Sequence, residues 1–475
     1  MDDYRKNYRP WDSAHGGQQA VSPQEALPED DLVFFLLDAV PQLDLVAFHR
    51  HYADETRGQP PFDVTMMVIL LVYAYCVGVC SSRKIAAACE RNLAFRAIVG
   101  NDPPDFRTIS DYRKIHLAAF KPLFVEVLRL AGEMGLIKLG NLSTDGTKIG
   151  ANASRHKAMS YGYMNKDIER LEKEIDQLLK QAEAIDAEQD AALGSRRGDE
   201  LPDELKRRED RLAKIREAKA RLEAEARVKA EAEQKRRDEE QAQREAEGRT
   251  RRGKEPAPVD ATPADKAQTN FTDPEAKVMK QSNKGFDYSY NAQAVVDAEN
   301  QIIVAAEVTT QANDKQQGVP MAQAALDNIE AAKIERAMDA EGKPVPIVNT
   351  ADTGYFSEEA VADLEKMGID PHFATGRQKH HEPATPVVPS TGEPTPTKSA
   401  KEKMQDKLQT PTGKLLYAAR KHIVEPVFGQ IKGVRGIRRF LLRGLKKVSA
   451  EWQLICLTHN LLKIWRRATH AAGAC

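Results

Sequence analysis

Apolar positions at helical spacing dominate the first third of the chain. Leu32, Phe35 and Leu36, then Leu43, Leu45, Val46 and Phe48, form such a pattern, and Pro41 splits it into two short helices. Val64 to Cys80 is the most apolar run. It is shorter than the ~20 residues of a membrane span, with Asp63 before it and Ser81-Ser82-Arg83-Lys84 after it, so it reads as a core helix. Ser81-Ser82 caps a helix over Arg83 to Glu90, Asn92 starts a short one through Ile98, and Ser110 caps one that runs through Phe120 to Met134. Residues 32–135 therefore read as an all-helical domain, preceded by a disordered tail, 1–31, rich in Pro, Gly and Gln.

The period then changes. Leu136 to Ile149 has strand character, and residues 136–160 open a second domain. Phe286 to Asp297 alternates cleanly at Tyr288, Tyr290, Ala292, Ala294 and Val296. Glu299-Asn300 makes a turn and Gln301 to Thr309 returns. A helix over Gly318 to Ala332, a strand over Val345 to Asp352, a helix capped by Ser357 and a strand over His372 to Arg377 follow. Thr412 opens a basic helix, and Ser449 to Arg467 closes the domain, whose remainder spans 281–467.

A different composition interrupts this order. Ile168, Leu171, Ile175, Leu178, Ala182 and Ile185 recur at alternating spacings of three and four, a heptad seam. Gly194 to Gly198 and Pro202 break it, and a weaker seam follows at Leu205, Leu212, Ile215 and Leu222. Residues 161–250 read as an antiparallel coiled-coil hairpin, 251–280 as a linker, and 382–410 as a disordered loop rich in Pro, Thr and Ser. Without the insertion the order is β-ββ-α-β-α-β-α. That gives an α/β fold class: an RNase H-like mixed sheet with flanking helices, interrupted by the hairpin and preceded by the helical domain.

Net charge is nearly zero, with 70 Lys and Arg against 71 Asp and Glu, but the balance is uneven. From Lys414 to Arg467 basic residues outnumber acidic ones 13 to 2, which suits a polyanion. Five cysteines at irregular spacing fit a reducing compartment and a cytoplasmic protein better than a disulfide framework. No secretory leader is visible, no membrane partner is expected, and no glycine-rich phosphate loop is present.

Three acids stand out by position. Asp145 lies inside a β-favouring stretch, where aspartate is depleted. Asp352 ends an apolar run, and Glu425 is a lone acid in a basic helix. Buried carboxylates need partners, and hard divalent cations such as Mg²⁺ are one kind. Two ions about 3.5–4 Å apart can flank a phosphodiester and serve both the attacking and the leaving oxygen. Plainer readings stand beside this one: Asp145 as a turn residue before Gly146, Asp352 as a cap before Gly354, and Glu425 as a surface partner of Arg420 or Lys421. Asp314, after a strand, reads as a capping or supporting residue.

The stretches Ser143-Thr-Asp-Gly-Thr-Lys148, Thr350-Ala-Asp-Thr-Gly-Tyr355 and Val424-Glu-Pro-Val-Phe-Gly-Gln-Ile-Lys432 resemble the three catalytic blocks of bacterial insertion-sequence transposases of the DDE class. Arg438-Arg-Phe-Leu-Leu-Arg-Gly-Leu-Lys446 and His459-Asn460-Leu are similar to the same family, and 32–116 resembles its N-terminal domain. The resemblance implies a transposase that cleaves element ends and joins them to target DNA, with Asp145, Asp352 and Glu425 as catalytic metal ligands. It implies two Mg²⁺ ions, replaceable by Mn²⁺, and a homo-oligomer assembled on DNA. Tyr417, Arg420, Glu425 and Lys432 match the family's Tyr-Arg-Glu-Lys signature in type, with one extra residue between Arg420 and Glu425. The short basic helices look like a helix-turn-helix module. DNA contacts are accordingly expected at Arg83, Lys84, Arg107, Arg113, Arg377, Tyr417, Arg420, Lys432, Arg438, Arg439 and Arg443, with Arg435, Lys446 and Lys447 adding to the basic C-terminal region. The alternative is a DNA-binding protein that keeps the fold and no longer cuts.

Overall fold

The computed structural model describes residues 22–52, 61–100, 102–193, 203–246, 257–281, 283–336, 341–376 and 398–472, with Gly248 and Met338. Seven helices come first: α1 (Leu32–Ala39), α2 (Val46–His49), α3 (Val64–Cys76), α4 (Ser82–Arg91), α5 (Leu93–Val99), α6 (Phe106–Ile115) and α7 (Phe120–Glu133). Asp31, Asp63, Asn92 and Asp105 cap α1, α3, α5 and α6 by accepting backbone N–H bonds. Asp105, and not Ser110, starts the helix at that point; Ser110 lies inside α6, and His116 ends it before α7 begins.

The rest of the chain runs β1 (Asn141–Gly150), β2 (Ala158–Ser160), α8 (Tyr161–Leu193), α9 (Asp203–Ala246), β3 (Gln268–Asn270), β4 (Lys277–Lys280), β5 (Phe286–Asp297), β6 (Ile303–Thr309), α10 (Gly318–Ala331), β7 (Ile347–Ala351), α11 (Glu358–Lys366), β8 (Ile369–Phe373), α12 (Ala400–Gln409), α13 (Pro411–Gly429) and α14 (Leu445–Ala472). The main sheet has the order β4-β5-β1-β7-β8, with β6 also on β5. β1 is antiparallel to β5 and parallel to β7, and β7 is parallel to β8. The fold is a mixed α/β architecture.

Three stretches differ from the sequence expectation. The expected linker contains β3, which pairs with β2, and β4, which extends the main sheet. The expected disordered loop ends in α12, nucleated by a reciprocal capping box between Ser399 and Glu402; residues 382–397 lie outside the described residues. The last strand, β8, begins three residues before His372, because its register is set by pairing Ile347 with Ile369. Of the expected tail, residues 22–31 are described, and Leu27 packs on the core.

One hydrophobic core joins the N-terminal helices to the sheet. α3 and α14 supply its centre, with Leu70, Leu71, Leu454, Ile455, Leu457 and Leu461 fully buried. Each such side chain contributes about 1.5–3 kcal/mol relative to exposure. Trp452 is fully buried and donates its Nε1–H to Gln293 O at 2.9 Å. Gly78, at φ +78°, lets the chain after α3 lie against the Arg435 carbonyl, where a side chain would collide.

α8 and α9 form an antiparallel hairpin with its own small core, including Leu171, Ile175, Leu205, Leu212, Ile215 and Leu222. Arg208 to Glu174 and Tyr161 to Glu223 link its arms. Lys277, on β4, holds Glu225 at 2.7 Å and ties the hairpin to the sheet. At 44 residues α9 is about 66 Å long, more than the core can cover. Among the described residues, no single helix is long and apolar enough to cross a membrane.

Candidate active site

Parallel pairing brings two distant aspartates together. Ser143 on β1 lies beside Thr350 on β7, and two residues further along each chain are Asp145 and Asp352. Asp352 is the first residue past β7, and its charge reaches the Asp145 carboxyl group. Burial pushes the Asp145 carboxyl up to about 6; Arg420 and the Gly146 N–H oppose that, and the charges of Asp352 and Asp314 add to it. Asp352 accepts the Gly354 N–H at 2.8 Å, the geometry of a tight turn.

Helix α13 crosses this end of the sheet. Ile423, Val424, Val427 and Phe428 are buried on its inner face, with Arg420 among them. Arg420 donates from Nη1 to Asp145 Oδ2 at 3.2 Å, and its guanidinium lies 5.9 Å from the centre of the Tyr417 ring. Lys432 donates to Thr147 Oγ1 and Lys148 O, both at 3.0 Å, and burial lowers its pKa. Pro426 lacks an N–H for the His422 carbonyl, and Gln301 Nε2 supplies the bond instead at 2.8 Å. A π-helical turn, Gln430–Val434, follows.

Glu425 is not gathered with the two aspartates. It is exposed. Five residues beyond Arg420, it sits about 140° round the helix from the residue that meets Asp145. Among the described residues no three acidic, His or Cys side chains are grouped to hold a metal ion. The acid that the fold brings near Asp145 and Asp352 is Asp314: all three charges raise the pKa of the fully buried Tyr355. Asp314 Oδ1 accepts from Asn291 Nδ2 at 2.6 Å and Gln293 Nε2 at 2.7 Å, and Lys148 Nζ is 3.6 Å away. The acidic sequence motifs did not single out Asn291 or Gln293; only the cross-strand register, which sets them opposite Lys148 and Gly146, reveals them.

The donor chemistry of the aspartate pair fits a hard divalent cation. Its oxygens are of the type Mg²⁺ and Mn²⁺ accept, and a cation there would relieve the repulsion between the two carboxylates. In number the pair falls short of three ligands.

The basic residues divide. Arg83, Lys84, Arg107, Arg438, Arg439 and Arg443 are exposed. Arg83 and Arg107 both lie over the ring of Phe106, at 5.1 and 5.6 Å. Arg113 is 5% exposed, and its guanidinium bonds Tyr75, Cys80 O and Ser82. Arg435 is likewise buried, on Ile455 O and Thr458. Both are corrections to the expected phosphate contacts: their guanidinium groups are buried, and the terminal nitrogens bond the protein's interior. Arg377 lies outside the described residues.

Comparison with known families gives two matches. Residues 21–115 match the Transposase domain (DUF772), and residues 390–465 match the Transposase DDE domain. Two separate stretches of the chain are thus similar to transposase domains. No curated protein and no solved structure matches the chain. The DDE match contains Arg420, Glu425 and Lys432, while Asp145 and Asp352 lie outside both matched stretches. DDE transposase domains generally use divalent metals.

Proposed function

We propose that this protein is a transposase that binds the ends of its element and performs metal-dependent strand cleavage and strand transfer, by phosphodiester hydrolysis followed by transesterification. The observation that carries the reading is that Asp145, within β1, and Asp352, just past the end of the parallel neighbour β7, lie close enough for their charges to interact, beside the helix bearing Arg420. The strand order, with a β5-β6 antiparallel pair beside β1 and parallel β7 and β8 beyond, supports an RNase H-like core.

Asp145 and Asp352 would hold Mg²⁺ or Mn²⁺. A bound divalent cation supplies charge stabilisation for the scissile phosphate and activates the attacking oxygen. Glu425 is the third acid of the proposal. Its support is its place within the DDE match and on the helix that already reaches Asp145. Lys432 and Arg420 fix that helix against β1, and the exposed Arg438, Arg439 and Arg443 offer contacts to the DNA backbone. Assembly as a homo-oligomer on paired DNA ends belongs to the same reading.

The runner-up, a DNA-binding protein that does not cut, is favoured by one observation: Glu425 faces outward while Arg420 engages Asp145. One assay separates the two. Purified protein is incubated with a labelled element end and Mg²⁺ or Mn²⁺, beside a binding measurement on the same preparation. Wild type should cleave and transfer. Asp145→Asn, Asp352→Asn and Glu425→Gln should each bind the end and fail to cleave, and their effects should not add. Full cleavage by Asp145→Asn, or by wild type in excess EDTA, overturns the proposal.

A further inference from the structure

Behind Asp145, on the other face of β1, the side-chain amide of Gln293 joins two segments of the site, those of Asp314 and Tyr355. Gln293 lies opposite Gly146 in the β1–β5 register, so it faces away from Asp145. Its Nε2 donates to Asp314 Oδ1 at 2.7 Å, and its Oε1 accepts from the Tyr355 hydroxyl. Its backbone carbonyl is held by Trp452 Nε1 at 2.9 Å. Gln293 and Tyr355 are both fully buried. Tyr355 closes the turn that Asp352 opens, and its N–H bonds Asp352 O at 3.3 Å.

The chemistry at both ends requires an amide. A carboxylate needs a donor and a phenol O–H needs an acceptor, and a glutamine supplies one of each. A glutamate there would set a second negative charge against Asp314. An aliphatic side chain would leave a buried hydroxyl unpaired. Gly146 completes the fit, because a Cβ at that position would run into Gln293 Nε2. The glycine after Asp145 is thereby explained by packing and not by a turn.

We propose that Gln293 is a positioning residue: by holding Tyr355 and Asp314 over Gly146, it fixes the spacing of Asp145 and Asp352 for a divalent cation. This rests on the reading of that pair as a cation site. The effect is transmitted through the Asp352 turn, so it should be visible in metal affinity without any DNA. Partners bonded directly to a metal ligand are worth about 10- to 100-fold in affinity; Gln293 acts one bond further back, through Tyr355, so the lower end applies.

The test is Mn²⁺ binding to the full chain, followed by the paramagnetic signal of the free ion, with thermal melting and DNA-end binding on the same samples. Wild type should bind Mn²⁺ and Asp145→Asn should not. Gln293→Met keeps the length and removes both bonds; it should weaken Mn²⁺ binding about tenfold with DNA-end binding unchanged. Tyr355→Phe removes one bond, should weaken Mn²⁺ binding by less, and should add little to Gln293→Met. A Gln293→Met protein that melts cooperatively and binds Mn²⁺ as wild type does would overturn the proposal. If that variant does not fold, an unchanged affinity in Tyr355→Phe overturns it instead, and a weakened one supports it. Wild type with no Asp145-dependent Mn²⁺ binding would fell the cation reading itself, and this inference with it.

Discussion

Arg420 and Asp145, 275 residues apart in sequence, share a hydrogen bond of 3.2 Å. The guanidinium side chain is 11% exposed and the carboxylate 19%, so the pair is only lightly screened by solvent. Burial raises the Asp145 pKa to about 6, and Arg420 is the largest opposing influence.

That balance sets a pH dependence. The proposed chemistry needs Asp145 ionised to take up a cation, so cleavage at sub-saturating Mg²⁺ should fall as pH drops through about 6. Arg420→Ala removes the influence that favours the ionised form. The acid limb should therefore move to higher pH, while Arg420→Lys should hold it near the wild-type position. Cleavage rates at sub-saturating Mg²⁺ between about pH 5 and pH 9 would show this. A limb at the same pH in wild type and Arg420→Ala would mean that the two groups are not coupled during the reaction.

The alternation in β5, the β-favouring residues of β1 and the apolar run of β7 made those strands legible in the sequence, and the heptad spacing made the α8–α9 hairpin legible. Local pattern could also find Asp145 and Asp352 as unusual acids. It could not set them side by side, because that depends on the parallel register of Ser143 with Thr350. Nor could it orient α13. Arg420 and Glu425 are both polar residues in a basic stretch, and only the packing of Val424, Val427 and Phe428 decides which of them turns inward. The short strands β3 and β4 lacked enough alternating residues to announce themselves. α12 was hidden by the Pro- and Thr-rich composition before it, although Ser399 and Glu402 carry a capping-box signature.

Arg113 exposes a further limit of sequence reading, since a basic residue on a short helix looks like a DNA contact until its burial is known. Its guanidinium donates to the Tyr75 hydroxyl at 2.9 Å, and that hydroxyl donates to Glu451 Oε1 at 3.2 Å. Glu451 also accepts the Leu441 and Leu442 N–H groups. The relay ties α6 and α3 to α14. Arg113→Met should therefore cost on the order of 3 kcal/mol in urea unfolding, by leaving the buried Tyr75 hydroxyl, Cys80 carbonyl and Ser82 hydroxyl without their donor. Combining it with Glu451→Gln should cost less than the sum of the two single changes. A loss of DNA-end binding at unchanged stability would instead return Arg113 to the DNA-contact group.

Arg438 and Arg439 give the opposite expectation. Both are exposed. Arg438 uses its Nε on Lys432 O at 3.0 Å, and Arg439 approaches Asp287 at 3.7 Å, a carboxylate that Arg155 already holds at 2.9 Å. Each therefore keeps donors free for phosphate. Binding to duplex DNA should weaken with salt by about 0.9 log units per contact per log unit of salt. Changing Arg438 and Arg439 together to Ala should lower that slope by up to about two, with little change in melting temperature. Arg435→Met is the control within the same segment. Its buried guanidinium bonds Ile455 O and Thr458 Oγ1, so it should lower the melting temperature and leave the slope alone. If the double variant keeps the wild-type slope, these two side chains face solvent in the complex and the DNA path lies elsewhere.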